Sequence, residues 1–264
     1  MRIWFAWREV SHEDKIPRHR RGRLVRGGEE FRAFTSTLIN GRLLIDGTPD
    51  AMEHIADTGA ITDIIYTHSH DDHFNIDFLK AIAPVRAHIH KSWAANVKVE
   101  GVEVIPFDTG ETFKAADHSI TALPANHSTA DPNEQPVHFI VRDDSCTLFY
   151  ATDGAWLLNA EWHALRKEQL DAAIFDATIG EGNPGDFRVF EHNSIEMVRI
   201  ITRTLRNPMF GYKDAGKHIP PVLKDGAPVY LTHMARTLHP TKAVLERSLA
   251  GEFIAAYDGM EVEI

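Results

Sequence analysis

Short β-type apolar runs alternate along this chain with segments of helical periodicity, the pattern of stacked sheet and helix layers. FTSTLI at 34–39 and RLLID at 42–46 flank Asn40-Gly41, a pair suited to a tight hairpin turn. PDAMEHIADTG at 49–59 reads as a short helix closed by Gly59, and IIYTH at 64–68 reads as a strand. NIDFLKAIA at 75–83 reads as a helix, with Asn75 as N-cap and Pro84 as its stop. VRAHIH at 85–90 returns as a strand, 102–125 holds two or three more with Gly110 at a turn, and VHFIV and TLFYA pair as a hairpin across Asp143-Asp144-Ser145.

The second half keeps this texture. Helices are expected at 159–169, 194–206 and 241–251, and strands at AAIFDA (172–177), PVYLTH (228–233) and the closing AAYDGMEVEI (255–264). In the helix at 194–206, Ile195, Val198 and Ile201 fall on one face, and Asn193 or Ser194 can cap it. No repeat or low-complexity linker divides the chain, so an α/β fold of one domain over 1–264 is expected. Two Gly/Pro-rich loops, 180–187 and 207–221, are candidate walls of a site.

The polar residues that follow the strands carry the chemistry. Ile64-Ile65-Tyr66 runs into Thr67-His68, Leu148-Phe149-Tyr150 into Asp153, Val229-Tyr230-Leu231 into His233, and 119-SITALPA-125 into Asn126-His127. Strand ends are where ligands bind in layered α/β folds, and they are rigid supports for a metal constellation. The densest segment, 68-HSHDDH-73, sets three histidines and two aspartates directly after an apolar strand. His68 and His70, two apart on extended chain, can grip one ion; Asp72 and His73, past the turn toward Asn75, can hold a second. With His127, Asp153 and His233 the set reaches seven residues, enough for two ions, and Asp153 has the two oxygens needed to bridge them.

Composition narrows the choices. The chain has 264 residues and a net charge of −10, which argues against broad binding to nucleic acid. The segment from Lys15 to Arg32 is an exception, with seven basic residues against two acidic ones; it reads as a solvated loop between strands. Cys146 is the single cysteine, so a metal here must be held by His and carboxylates. No apolar run approaches the ~18 residues of a membrane span and no apolar signal segment opens the chain, so a cytoplasmic protein without membrane contact is expected.

The H-x-H-x-D-H signature at His68, His70, Asp72 and His73, followed in order by His127, Asp153 and His233, resembles that of the metallo-β-lactamase fold superfamily. That resemblance implies a four-layer αββα sandwich and two divalent ions, zinc or manganese with iron as a further candidate. His68, His70 and His127 would hold one, Asp72, His73 and His233 the other, with Asp153 between them. His192, in 190-FEHNSIEMVRI-200, resembles the non-ligand histidine of the branch containing tRNase Z and the PhnP-type phosphodiesterases. It implies hydrolysis of a small phosphodiester, with Asp72 orienting or deprotonating the nucleophile and His192 as general acid. A lactonase, a thioesterase and a tRNA 3′-processing nuclease are the alternatives. Arg236 stands where a second histidine is expected in that branch and is a candidate phosphate contact. A homodimer is expected from the same resemblance.

Overall fold

The computed structural model describes residues 1–6, 34–52, 54–208, 219–235 and 237–264. The basic segment 15–32, His218 and Arg236 lie outside these residues. The first sheet contains β1 (Arg2–Ala6), β2 (Ser36–Ile39), β3 (Leu43–Ile45), β4 (Asp63–Ile65), β5 (Val85–His90) and β6 (Val102–Phe107). The second contains β7 (Thr112–Ala115), β8 (His118–Pro124), β9 (Val137–Arg142), β10 (Thr147–Ala151), β11 (Ala172–Asp176), β12 (Val229–Thr232) and β13 (Ile254–Ala255), and β14 (Glu261–Glu263) returns to the first. The spatial orders are β14-β1-β2-β3-β4-β5-β6 and β13-β12-β11-β10-β9-β8-β7.

Strand alternation sends side chains to two different cores. In β10, Leu148 and Tyr150 pack between the sheets, whereas Phe149 and Ala151 face the helices. The inter-sheet core includes Phe5, Ile39 and Ile65 from one sheet and Phe139, Ile174 and Tyr230 from the other. Outside the second sheet lie α4 (Asn159–Leu165), α5 (Ile195–Arg206) and α6 (Lys242–Leu249), contributing Leu165, Val198 and Leu249. Outside the first lie α1 (Pro49–Met52), α2 (Ile76–Ala81) and α3 (Lys91–Ala94), contributing Ala51, Phe78 and Trp93. The result is the αββα sandwich.

Local rules hold at several elements. Asn40 and Gly41 both have positive φ, 50° and 72°, as a tight hairpin turn of this kind requires. Asn75 caps α2 by accepting from the amides of Asp77 and Phe78. Ser194, not His192 or Asn193, caps α5, accepting from Met197 N at 3.3 Å. Two expectations change. Of the helix expected at 49–59, Pro49–Met52 is helical, and Gly59 sits in a separate 3-10 turn, Thr58–Ala60, begun by the Asp57 side chain. The closing strand expected at 255–264 is two strands in different sheets: Gly259, at φ 78°, turns the chain from β13 toward β1, where Glu261–Glu263 pairs with Arg2–Trp4.

For the site, the parallel runs matter most. β3 through β6 are parallel, as are β10 through β13, so the carboxyl ends in each run open on one edge of their sheet. The two edges are tied where Val137 N donates to Thr67 O at 3.0 Å. Among the described residues no helix is long and apolar enough to cross a membrane.

Candidate metal centre

Strand-end geometry assembles the centre. Asp46 ends β3, Asp153 follows β10 and His233 follows β12, with φ of 56°, 54° and 50°. Non-glycine residues rarely adopt this left-handed conformation, at a cost of about 1–3 kcal/mol each, so its recurrence at three strand ends marks backbone held for a purpose. The turn after β4 is closed by the amides of His73 and Phe74 donating to His70 O, and Glu134 grips its middle, accepting from Ser69 N at 2.7 Å and Ser69 Oγ at 2.5 Å.

All seven residues expected as ligands come together. The ring nitrogens of His68, His70 and His127 form one group, and those of His73 and His233 form a second with the Asp72 and Asp153 carboxylates; donor atoms within each group lie within 4.8 Å of one another. Asp153 stands between the groups, its Oδ2 2.5 Å from His73 Nε2 and 3.4 Å from His68 Nε2. His233 Nε2 lies 3.3 Å from Asp72 Oδ2. Except for His70 and His127, these residues are almost entirely buried.

A second layer fixes which nitrogens face inward. His73 Nδ1 lies 2.8 Å from Asp46 Oδ2, and Thr67 Oγ1 lies 2.9 Å from both Asp46 Oδ2 and His68 Nδ1. An ionised carboxylate only accepts, so His73 and Thr67 donate to Asp46 and His68 donates to Thr67, leaving both Nε2 lone pairs aimed at the centre. His127 Nδ1 donates to Glu191 O at 3.1 Å, which turns its Nε2 toward His70. Gly154, beside Asp153, lets His138 pass: a Cβ there would sit 2.5 Å from the imidazole, which Glu161 holds at 2.6 Å.

The buried Nε2 of His73 and Oδ1 of Asp153 have no hydrogen-bond partner, although each has ligand-type atoms close by. Imidazole and carboxylate donors converging in these numbers are the donor set of a cation, and they suit zinc, manganese or iron. The residues therefore fit two divalent ions. Electrostatics differ between the groups. Burial, reinforced by neighbouring imidazoles, holds His68 well below the ordinary histidine pKa, and burial lowers His127 to about 4. Burial also opposes charge on His73 and His233, but Asp153 and the other carboxylates overcome it and raise both.

His192 lies beside this set. Its Nδ1 is 2.9 Å from Asp176 Oδ2 and 3.4 Å from Asp153 Oδ1, and its ring stacks on His233 at 5.4 Å between centroids. Asp176 and Thr178 were not singled out by the sequence. Thr178 Oγ1 lies 2.5 Å from Asp176 Oδ1 and 2.8 Å from His233 Nδ1. The signal that would have found Asp176 is the one that found the others, an acidic residue at the end of an apolar strand. Asp46, at the end of RLLID, carried the same signal.

A metal-type donor cluster at the shared edge of two helix-flanked sheets defines a protein of the metallo-β-lactamase fold. Residues 41–205 match the family described as the β-lactamase superfamily domain, and the chain belongs to that family. No curated protein matches it in sequence. Solved structures do. Zinc-bound PqqB from Methylobacterium extorquens superposes with a TM-score of 0.66 at 14% identity, covering 100% of both chains. A diphosphatase of the PhnP family gives 0.63 at 20% identity over 91% of this chain and 88% of that one. The short form of human tRNase Z gives 0.63 at 14% identity over 100% and 99%. At these identities the likeness establishes the fold.

Proposed function

We propose that this protein is a dinuclear metal-dependent hydrolase that cleaves a small phosphodiester, cyclic forms included. His192 carries the assignment: a buried imidazole next to both donor groups, with Nδ1 committed to Asp176 and Nε2 left for chemistry. Burial disfavours its charged form, but the Asp176 and Asp153 carboxylates outweigh this and raise its pKa well above the ordinary histidine value. In the metal-free chain these carboxylates favour the charged imidazole, and a charged imidazole at this place is suited to deliver a proton to a departing alkoxide. Asp72, facing the same space from the opposite sheet, orients the attacking water or accepts its proton. Two divalent ions held by His68, His70 and His127 and by Asp72, His73 and His233, with Asp153 shared, would supply Lewis acidity and lower the pKa of water.

Two of the similar folds bear names that fit this chemistry, a diphosphatase and a tRNase. The net charge of −10 favours a small-molecule substrate over nucleic acid. The test is hydrolysis of a chromogenic phosphodiester beside a lactone and a thioester by chelated protein reconstituted separately with zinc and manganese. Metal-restored turnover of the phosphodiester is expected. Turnover of the acyl substrates alone would replace the proposal with an acyl hydrolase.

A further inference from the structure

Three large aromatic side chains stand exposed on the two loops that carry Asp153 and His192. Trp156 is 42% exposed, Phe187 74% and Phe190 75%. Trp156 comes three residues after Asp153, and the two phenylalanines occupy the 3-10 turn Phe187–Phe190 that ends two residues before His192. Neither loop is loosely attached. Asn193, 1% exposed, joins them by accepting from Trp156 N at 2.8 Å and donating to Gly154 O at 2.6 Å. Asp186 starts the turn by accepting from Arg188 N and Nε, both at 3.0 Å, and Glu191 anchors its end to the metal-centre residue His127 through its carbonyl oxygen.

Trp156 is also a backbone outlier. Its φ of 61° is a conformation that a bulky side chain adopts at a cost, and here the strain places an indole at the surface instead of in the core. A folding requirement does not explain that choice, since glycine there would relieve both the strain and the exposed apolar area. Strain held next to the donor cluster points to a contact with the substrate.

We infer that Trp156, Phe187 and Phe190 form an aromatic rim that binds a flat aromatic group on the non-leaving ester of the substrate. The assignment rests on the phosphodiesterase proposal for the reaction and adds the class of substrate. The Phe187 and Phe190 rings, three-quarters exposed, cannot enclose an alkyl chain, whereas with the partly exposed indole they offer open faces and edges to a planar partner, which aromatic pairs favour. The phosphodiester would sit at the metal centre with its second ester group reaching outward over Phe190.

The test uses the metal-loaded protein and three phosphodiesters that share a p-nitrophenyl leaving group and carry methyl, cyclohexylmethyl or benzyl as the second ester. The wild type should prefer the benzyl ester over the cyclohexylmethyl ester by roughly 5- to 10-fold in kcat/KM, mostly through KM. That ratio should collapse toward unity in Phe190→Ala and Trp156→Ala, with Phe187→Ala as a variant remote from the strained backbone. A ratio near unity in the wild type, or one that all three variants leave intact, would overturn the rim. If no ester is hydrolysed with any metal, the reaction proposal fails by itself. Calorimetric binding of benzylphosphonate against methylphosphonate then decides the rim: a benzyl preference lost in Phe190→Ala supports it, and equal binding overturns it.

Discussion

Each sheet supplies the centre with one carboxylate and threonine support, and the two supports do different work. On the first sheet, Asp46 and Thr67 orient His73 and His68, which both belong to donor groups. On the second, Asp176 and Thr178 orient His233 and His192, which share a further donor group with Asp153 and Asp176, and His192 is the residue proposed for proton transfer. On the proposed roles, the same polar device fixes a metal ligand on one sheet and charges an acid on the other. The comparison also explains the opposite electrostatics of the supports. Burial raises Asp46, whereas at Asp176 the neighbouring His192 charge and hydrogen bond outweigh burial and lower it.

The largest effect should follow from breaking what the two halves share. Asp153→Ala removes the carboxylate that lies within 3.4 Å of both His68 and His73, so both proposed ions would lose a donor. Activity should fall by more than the roughly 100-fold typical of an outer-layer change, and metal content by mass spectrometry should drop below two per chain. Next comes His192, the proposed acid. His192→Ala should lower kcat by about 10²- to 10⁴-fold with metal content unchanged. Joint loss of activity and metal would move His192 into the metal shell, where the neighbouring cluster of Asp153, Asp176, His192 and His233 gives it a ready place.

The two supports can then be set against each other. Asp46→Asn should weaken metal binding by roughly 10- to 100-fold and affect turnover at saturating metal far less. Asp176→Asn should do the reverse, since its main partner is His192, the proposed acid. Equal effects on affinity and turnover in both variants would erase the distinction. The smallest effect concerns pH in the chelated protein. Asp176, lowered on folding, contributes stability that is present above the ordinary carboxylate pKa and is lost as pH falls through its folded value. Asp46, raised on folding, contributes stability that is present at low pH and is lost as pH rises through its folded value. Asp176→Asn should thus flatten the acid limb of a Tm against pH curve and Asp46→Asn the opposite limb, each by a few degrees.

Much of this was legible in the sequence because strand and ligand signals coincide. The run Ile64-Ile65-Tyr66 followed by 68-HSHDDH-73 announces both a buried strand and its functional end, and the structure puts those residues in two neighbouring groups. Asp176 and Asp46 escape a reading that takes AAIFDA and RLLID only as strands, although each is an acidic residue at the end of an apolar run. Helix 49–59 was overextended because its apolar spacing continues past Met52, while Asp57 offers the backbone a competing 3-10 cap. The closing segment was read as one strand because its register is decided by the distant β1 and β12, which local periodicity does not contain.

The central claim is that two ions lie between the sheets with His192 outside their ligand sets. Anomalous scattering from a zinc-loaded crystal tests it most directly. The account predicts two peaks about 3.5 to 4 Å apart, one among His68, His70 and His127 and one among Asp72, His73 and His233, with Asp153 touching both. A single peak, or one coordinated by His192 and Asp176, would contradict it.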